Sequence, residues 1–231
     1  MVDFMVEMKP IAYIKSDFKE KFGIPRQSNL VPELISYVVF EPEYCNADAF
    51  RGLSDYSYIW LIWEFSKSVR KSWSPTVRPP RLGGNTRVGV FATRSPFRPN
   101  PIGLSSVKLD EIIFGDDGTV TLKVSGADLL DGTPIYDVKP YVPYSDSHPE
   151  ARGGFATAHH EDKIAVVLSE EVGAGIPNDM IQTLKKILAL DPRPSYHEDD
   201  NRTYGMSFAG YDVKFQVKDD VLMVIEIVNE T

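Results

Sequence analysis

One cysteine in 231 residues excludes several chemistries at once. Cys45 has no partner in the chain, so no intrachain disulfide forms and no thiolate cluster can hold a metal. Flanked by Tyr44 and Asn46, it reads as a spectator. No stretch approaches the roughly 20 apolar residues of a membrane helix. The first nine residues carry Asp3 and Glu7, where a secretory signal places basic residues before an apolar run. The expectation is a cytoplasmic protein with no membrane association. Familiar catalytic and cofactor-binding signatures are missing too: there is no G-x-G-x-x-G, no Walker loop and no G-x-S-x-G elbow. Gly173-Ala174-Gly175 lacks the third glycine and reads as an ordinary loop. Of four histidines, His159 and His160 are adjacent and precede Glu161. Neighbouring side chains point to opposite sides of a strand, which disfavours a shared metal. His148 and His197 stand alone in polar segments, so no metal is expected.

What is present fits a folded protein. Hydrophobic residues make up 42% of the chain and charged ones 25%, both ordinary for a globular protein. The length allows one large domain, or a medium domain with a small appendage. The net charge of −8 argues against a general polyanion binder, but the charges are unevenly spread. Positions 67–108 hold Lys67, Arg70, Lys71, Arg78, Arg81, Arg87, Arg94, Arg98 and Lys108, with no Asp or Glu. That window is +9, which leaves −17 for the rest of the chain. A localised anion-binding surface explains this, and so does a solvated face whose arginines pair with acids elsewhere.

Strand patterns dominate the first two-thirds. Positions 11–14, 35–40, 58–65, 88–93, 107–113 and 120–124 are rich in β-branched and aromatic residues, and Pro, Gly and Asp clusters separate them. Turn signals about every ten residues, with no βαβ alternation, predict a barrel or sandwich. Asp116-Asp117-Gly118 reads as a hairpin turn. The polar, Gly-containing stretch 146–154 marks a boundary, giving domains 1–150 and 151–231. The second is predicted as a small α+β unit. A strand at 164–168 precedes a helix with Asn178 at its N-cap and Ile181, Leu184, Ile187 and Leu188 on one face. Asp191-Pro192-Arg193-Pro194 stops the helix, and 206–217 with 221–228 read as a closing hairpin. The fold class is therefore mainly β: an N-terminal β-barrel, not a Rossmann sheet, with a small α+β C-terminal domain.

The most unusual segment is 94–105, Arg-Ser-Pro-Phe-Arg-Pro-Asn-Pro-Ile-Gly-Leu-Ser. Three prolines fix φ and remove amide donors, so the segment reads as a stiff loop that holds Arg94 and Arg98 in place. Such pre-organisation lowers the ordering cost of binding, whereas a plain crossover needs no arginines. Asp131-Gly132-Thr133-Pro134 is a second rigid turn, followed by Asp137 and Lys139. Gly23-Ile24-Pro25-Arg26-Gln27 is a third. Three stiff polar turns in one β domain predict a loop-built site on a barrel rim.

These loops, together with Pro79-Pro80-Arg81-Leu82-Gly83-Gly84-Asn85 and positions 89–95, resemble the signature segments of the TsaA-like family, also called YaeB-like or TrmO. The likeness extends through 19–27, 73–80, 131–141 and 188–196, nearly the whole chain. It implies a β-barrel methyltransferase distinct from the Rossmann-like class, with S-adenosylmethionine as the donor. The implied acceptor is the exocyclic nitrogen of threonylcarbamoyladenosine beside the anticodon of tRNAs reading ACN codons. A homodimer is also implied. Carried onto this sequence, the donor site comprises Pro25, Arg26, Gln27, Ser66, Lys67, Arg94, Leu104, Asp131, Gly132, Thr133 and Pro134. At Ser66-Lys67 the chain departs from the histidine-glutamine pair of related proteins. Arg94, Arg98 and the tract before them suit phosphates or the threonyl carboxylate. A carboxylate that takes the acceptor's proton would be Asp131 or Asp137, although either also serves as a turn residue. Two other readings stand beside this one. One is a non-enzymatic S-adenosylmethionine-binding RNA-binding or sensor protein. The other is a hydrolase or metal-dependent enzyme using His148, His159 and His160.

Overall fold

The computed structural model describes residues 6–70, 72–159, 162–193 and 202–230. In chain order the strands of the first part are β1 (Ala12–Lys15), β2 (Ile35–Phe40), β3 (Tyr58–Glu64), β4 (Thr76–Val77), β5 (Val88–Gly89), β6 (Ile102–Phe114), β7 (Val120–Ser125) and β8 (Pro134–Pro140). A one-turn helix α1 (Pro143–Asp146) follows. Then come β9 (Ala165–Val167), α2 (Asn178–Ala189), β10 (Tyr204–Phe208), β11 (Tyr211–Lys218) and β12 (Val221–Asn229).

Six strands close into a barrel in the order β1-β2-β7-β6-β3-β8, every pair antiparallel. Period-two alternation drives closure. Ile59, Leu61 and Trp63 of β3 turn inward, as do Val107 and Leu109 of β6 and Leu122 and Val124 of β7. Ala12, Ile14, Val38 and Ile135 complete that core without exposure. Burying each large aliphatic side chain contributes about 1.5–3 kcal/mol.

A four-stranded sheet, β10-β11-β12-β9, forms a second layer with α2 against it. Leu184, Ile187 and Leu188 of α2 are buried against Met206, Phe208, Val213 and Phe215. Chain from the other end of the sequence completes this core. Phe18, Val31 and Leu34, on the connection between β1 and β2, are buried in it, and Phe22 stacks on Tyr204 and Phe215 at 6.4 and 6.3 Å.

Several elements differ from the sequence reading. The strand expected at 88–93 is reduced to β5, which pairs with β4 in a separate ribbon, and Val90–Ala92 turn as a 3-10 helix. Its partner lies between Pro75 and the pair Pro79-Pro80, which lack the amides to extend the ladder. The stiff loop 94–105 ends early, because β6 starts at Ile102, directly after the last proline. β8 was hidden by Asp137 and Lys139, which break its apolar alternation. The span 206–217 splits at Ala209-Gly210, both with positive φ (52° and 80°), into β10 and β11. Asn178 begins α2 rather than capping it, and Pro177 takes the cap position without a side-chain bond. His160, Glu161 and His197 lie outside the described residues, as does Lys71.

Candidate functional site

The rim of the barrel encloses a cavity of about 680 Å³, within the roughly 300–1,000 Å³ range of small-molecule sites. Pro80 and four segments build it: the loop around Pro25, the end of β3 with its turn, the proline-rich loop with the start of β6, and the stretch between β7 and β8. The β3 end is shaped by a missing side chain. Gly103 pairs with Trp63, and a Cβ there would sit 2.3 Å from the indole. The ring therefore lies over the β6 backbone, and its Nε1 donates to Ser105 Oγ at 3.1 Å. Past Glu64 the chain turns tightly, with Ser66 N donating to Glu64 O and Ser68 N to Phe65 O, both at 2.8 Å. Lys21 Nζ fastens this turn by donating to Lys67 O and, at 2.9 Å, to Ser68 Oγ.

On the facing side, Arg94 Nη1 donates to Gln27 Oε1 at 2.6 Å, and Gln27 Nε2 donates to Arg26 O at 2.6 Å. Arg26 Nη2 in turn donates to the carbonyl of Asp191, just past α2, at 3.2 Å. The proline-rich loop braces itself: Ser95 N donates to Thr93 Oγ1 and Phe97 N to Ser95 Oγ. Arg98 Nη1 donates to Thr93 O at 3.1 Å, and the Arg70 guanidinium lies 3.5 Å over the Phe97 ring. Among the described residues, none of Lys67, Arg70, Arg78, Arg87, Arg94 and Arg98 has a carboxylate within ion-pair distance. Among the described residues no ion pair neutralises these six cations, although Arg94 and Asp128 feel each other's charge across the cavity.

Of the eleven residues singled out for the donor, Pro25, Arg26, Gln27, Ser66, Lys67, Arg94, Leu104 and Thr133 line this one cavity. Asp131, Gly132 and Pro134 are not in its wall. Asp131 accepts from Ser16 N at 3.0 Å and from Lys19 Nζ at 2.7 Å. Burial pushes its carboxyl up, but the Lys19 and Ser16 bonds outweigh that and it titrates below the usual carboxylate range. Gly132 N donates to Ile14 O at 2.8 Å. This turn therefore ties β8 to the chain leaving β1 and presents Thr133 to the cavity. Asp137 is paired with Lys139 at 2.8 Å and also stands outside the wall.

A carboxylate that the sequence reading passed over does face the cavity. Asp128 lines it, and Asp128 Oδ1 accepts from Ser105 Oγ at 2.6 Å. Ser105, buried behind the wall, thus links Trp63 and Asp128 in one hydrogen-bonded row. Burial pushes the Asp128 carboxyl above its ordinary range, against the opposing pull of the Ser105 bond and of Arg94. Glu64 also lines the cavity and accepts from Tyr136 Oη at 2.6 Å. Burial, then that carboxylate, raise Tyr136 to about 12, so the phenol stays protonated. The only sequence signal for Asp128 was a lone acid in an apolar run, which a turn explains equally well.

These residues suit S-adenosylmethionine. Trp63, Phe65 and Leu104 offer apolar surface for a nucleoside base, Glu64 offers a carboxylate for its cationic groups, and Arg26 and Arg94 suit its carboxylate. Among the described residues, no group of three or more His, Cys, Asp or Glu could hold a metal ion, and no helix is long and apolar enough to cross a membrane.

Comparison with known proteins covers both parts of the chain. Residues 13–147 match the family described as tRNA-methyltransferase O N-terminal domain, and 161–230 match the TrmO C-terminal domain. The tRNA (adenine(37)-N6)-methyltransferase of Escherichia coli K12 is 40% identical over 221 residues, covering 92% of this chain and 94% of that one. A Pseudomonas aeruginosa protein named "Putative S-adenosylmethionine-dependent methyltransferase RcsF" is 39% identical, covering 95% and 96%. A crystal structure of TrmO from Pseudomonas aeruginosa superposes with a TM-score of 0.76 at 34% identity, over 98% of this chain and 100% of that one.

Proposed function

The chain belongs to the TrmO family, and on that footing we propose that it methylates the exocyclic nitrogen of adenosine 37 in tRNA, with S-adenosylmethionine as donor. The observation that carries this reading is the rim cavity, where apolar rings, the Asp128 carboxylate and three arginines, Arg26, Arg94 and Arg98, converge. We take the acceptor to be threonylcarbamoyladenosine in tRNAs reading ACN codons, as the sequence resemblance implies. Pro25, Arg26, Gln27, Ser66, Lys67, Arg94, Leu104 and Thr133 hold the donor, with Asp131, Gly132 and Pro134 fixing the turn behind Thr133.

When bound, the donor supplies an activated methyl group, and the acceptor nitrogen must give up a proton as it takes that carbon. We assign that proton to Asp128, which lines the cavity and, unlike Glu64, is not engaged by a tyrosine hydroxyl. Burial raises its affinity for a proton, the direction that strengthens a base. Ser105 holds the Asp128 carboxylate in orientation, and Trp63 holds Ser105. The remaining work is positioning and exclusion of water, which Arg94, Gln27 and the β3 turn perform. We further propose a cytoplasmic homodimer, with 1–150 carrying the transfer site and 151–231 forming a small unit that supports its loop.

The test is transfer of labelled methyl from S-adenosylmethionine to tRNA by the purified protein. Label in the RNA supports the enzyme. A melting-temperature rise with S-adenosylhomocysteine but no label in any tRNA would replace it with a sensor.

A further inference from the structure

Two large aromatic side chains in the basic tract are left outside both cores. Trp73 is 50% exposed and Phe91 72% exposed, yet their rings lie face to face at 6.1 Å with an interplanar angle of 28°. They flank the β4-β5 ribbon in sequence, Trp73 before β4 and Phe91 after β5, and this ribbon is a sheet separate from the barrel. Both flanks of this ribbon lead directly into the cavity wall: Ser68 and Pro80 bracket Trp73, and Pro80 and Arg94 bracket Phe91. Exposing this much aromatic surface is unfavourable in a lone soluble domain, so the pair calls for an occupant.

The surrounding charge selects that occupant. Arg78 and Arg87 sit on the same ribbon, Arg70 precedes it and Arg94 follows it, all without an ion-pair partner among the described residues. Positions 67–108 contain no acid at all. Flat apolar faces framed by arginines that carry no ion pair are the pattern that holds unpaired nucleotides, with bases stacked on the rings and phosphates on the arginines. A second copy of this chain fits less well, because its own ribbon would bring like charges together. We infer that Trp73 and Phe91 form a stacking platform for unpaired bases of an RNA loop, holding that loop while another of its nucleotides enters the cavity. This rests on the reading of the protein as a tRNA-modifying enzyme and adds which surface grips the loop.

The experiment compares a stem-loop RNA with a fully paired duplex of the same stem, titrated against the wild type, Phe91→Ala, Trp73→Ala and Phe91→Tyr. Stacking on one side chain is worth about 1–3 kcal/mol per base, or roughly 5- to 150-fold in affinity. Each alanine variant should lose stem-loop affinity in that range, keep the slope of affinity against salt, and leave duplex binding unchanged. Phe91→Tyr should restore stem-loop binding. The melting shift given by S-adenosylhomocysteine should be the same in all four proteins, which excludes a misfolded site. Unchanged stem-loop affinity in both alanine variants, with the wild type binding normally, overturns the platform alone. A change of oligomeric state in those variants by sedimentation overturns it in favour of an interface between copies. Failure of the wild type to prefer the stem-loop over the duplex overturns the platform together with the RNA-loop reading beneath it.

Discussion

Asp128 concentrates the chemistry of the site at the scale of one residue. Its carboxyl is pushed up by burial, so the folded protein favours the protonated form more than the unfolded chain does. The sign follows from linkage: the stabilisation is complete below the ordinary aspartate range and is lost as pH rises through the raised value. Asp128→Asn, which still accepts from Ser105, should abolish that portion of the pH dependence, as read by denaturant unfolding across mildly acidic pH. General bases contribute about 10²–10⁴-fold. The same substitution should slow methyl transfer at neutral pH within that range while the melting shift with S-adenosylhomocysteine survives. The wild-type rate should fall as pH drops through the raised value, and a profile flat through that interval would remove Asp128 from the mechanism. Arg94 behaves differently, since it holds Gln27 and faces the cavity. Arg94→Ala should lose the melting shift and leave the unliganded melting temperature near wild type. Arg94 and Gln27 were legible in the sequence because prolines beside them announced stiff loops. Asp128 was not, because its partner Ser105 lies 23 residues away on another strand.

Among the elements, the pairing of β3 with β6 decides the shape of the cavity. Gly103 leaves room for the Trp63 indole, and a methyl group there has no space in a ring held by its bond to Ser105. Gly103→Ala should therefore cost about 1–3 kcal/mol, as overpacked cores do, measured as a lower denaturant midpoint with unchanged slope. Trp63→Phe in the same chain should recover part of that loss by shrinking the ring. The strands whose alternation is uninterrupted, β1, β2, β3 and β7, could be read from sequence almost to the residue. Those that could not, β5 and β8, are set by what lies across from them: prolines end the β4-β5 ladder, and two flanking strands recruit β8 despite its charges. The split between β10 and β11 depends on left-handed backbone at Ala209-Gly210, for which Gly210 was the lone sequence cue.

For the molecule as a whole, the connection between β1 and β2 joins the cavity to the second core. One face of this segment carries Pro25, Arg26 and Gln27, while Phe18, Phe22, Val31 and Leu34 pack against the C-terminal sheet. Arg26 also reaches Asp191, whose carboxylate holds Arg193 through two bonds of 2.8 Å. Phe22→Ala should lower stability and also weaken the cofactor-induced melting shift. Val213→Ala, in the same core but on β11, should lower stability and leave that shift intact. Equal loss of the shift in both would mean that the second core acts through global stability alone. This sharing of one core by distant segments was invisible to the sequence, which gives the spacing of apolar residues and not their long-range partners.

The reaction itself is tested by mass spectrometry of nucleosides digested from tRNA after incubation with the protein and S-adenosylmethionine. An acceptor site that pairs the carboxylate and hydroxyl of the threonylcarbamoyl group would leave its own polar groups unpaired on a bare adenine. The expected result is one added methyl on threonylcarbamoyladenosine in the modified tRNA, and none on the same tRNA made by transcription. Efficient methylation of the bare transcript, or a modified tRNA left unmethylated, would contradict it.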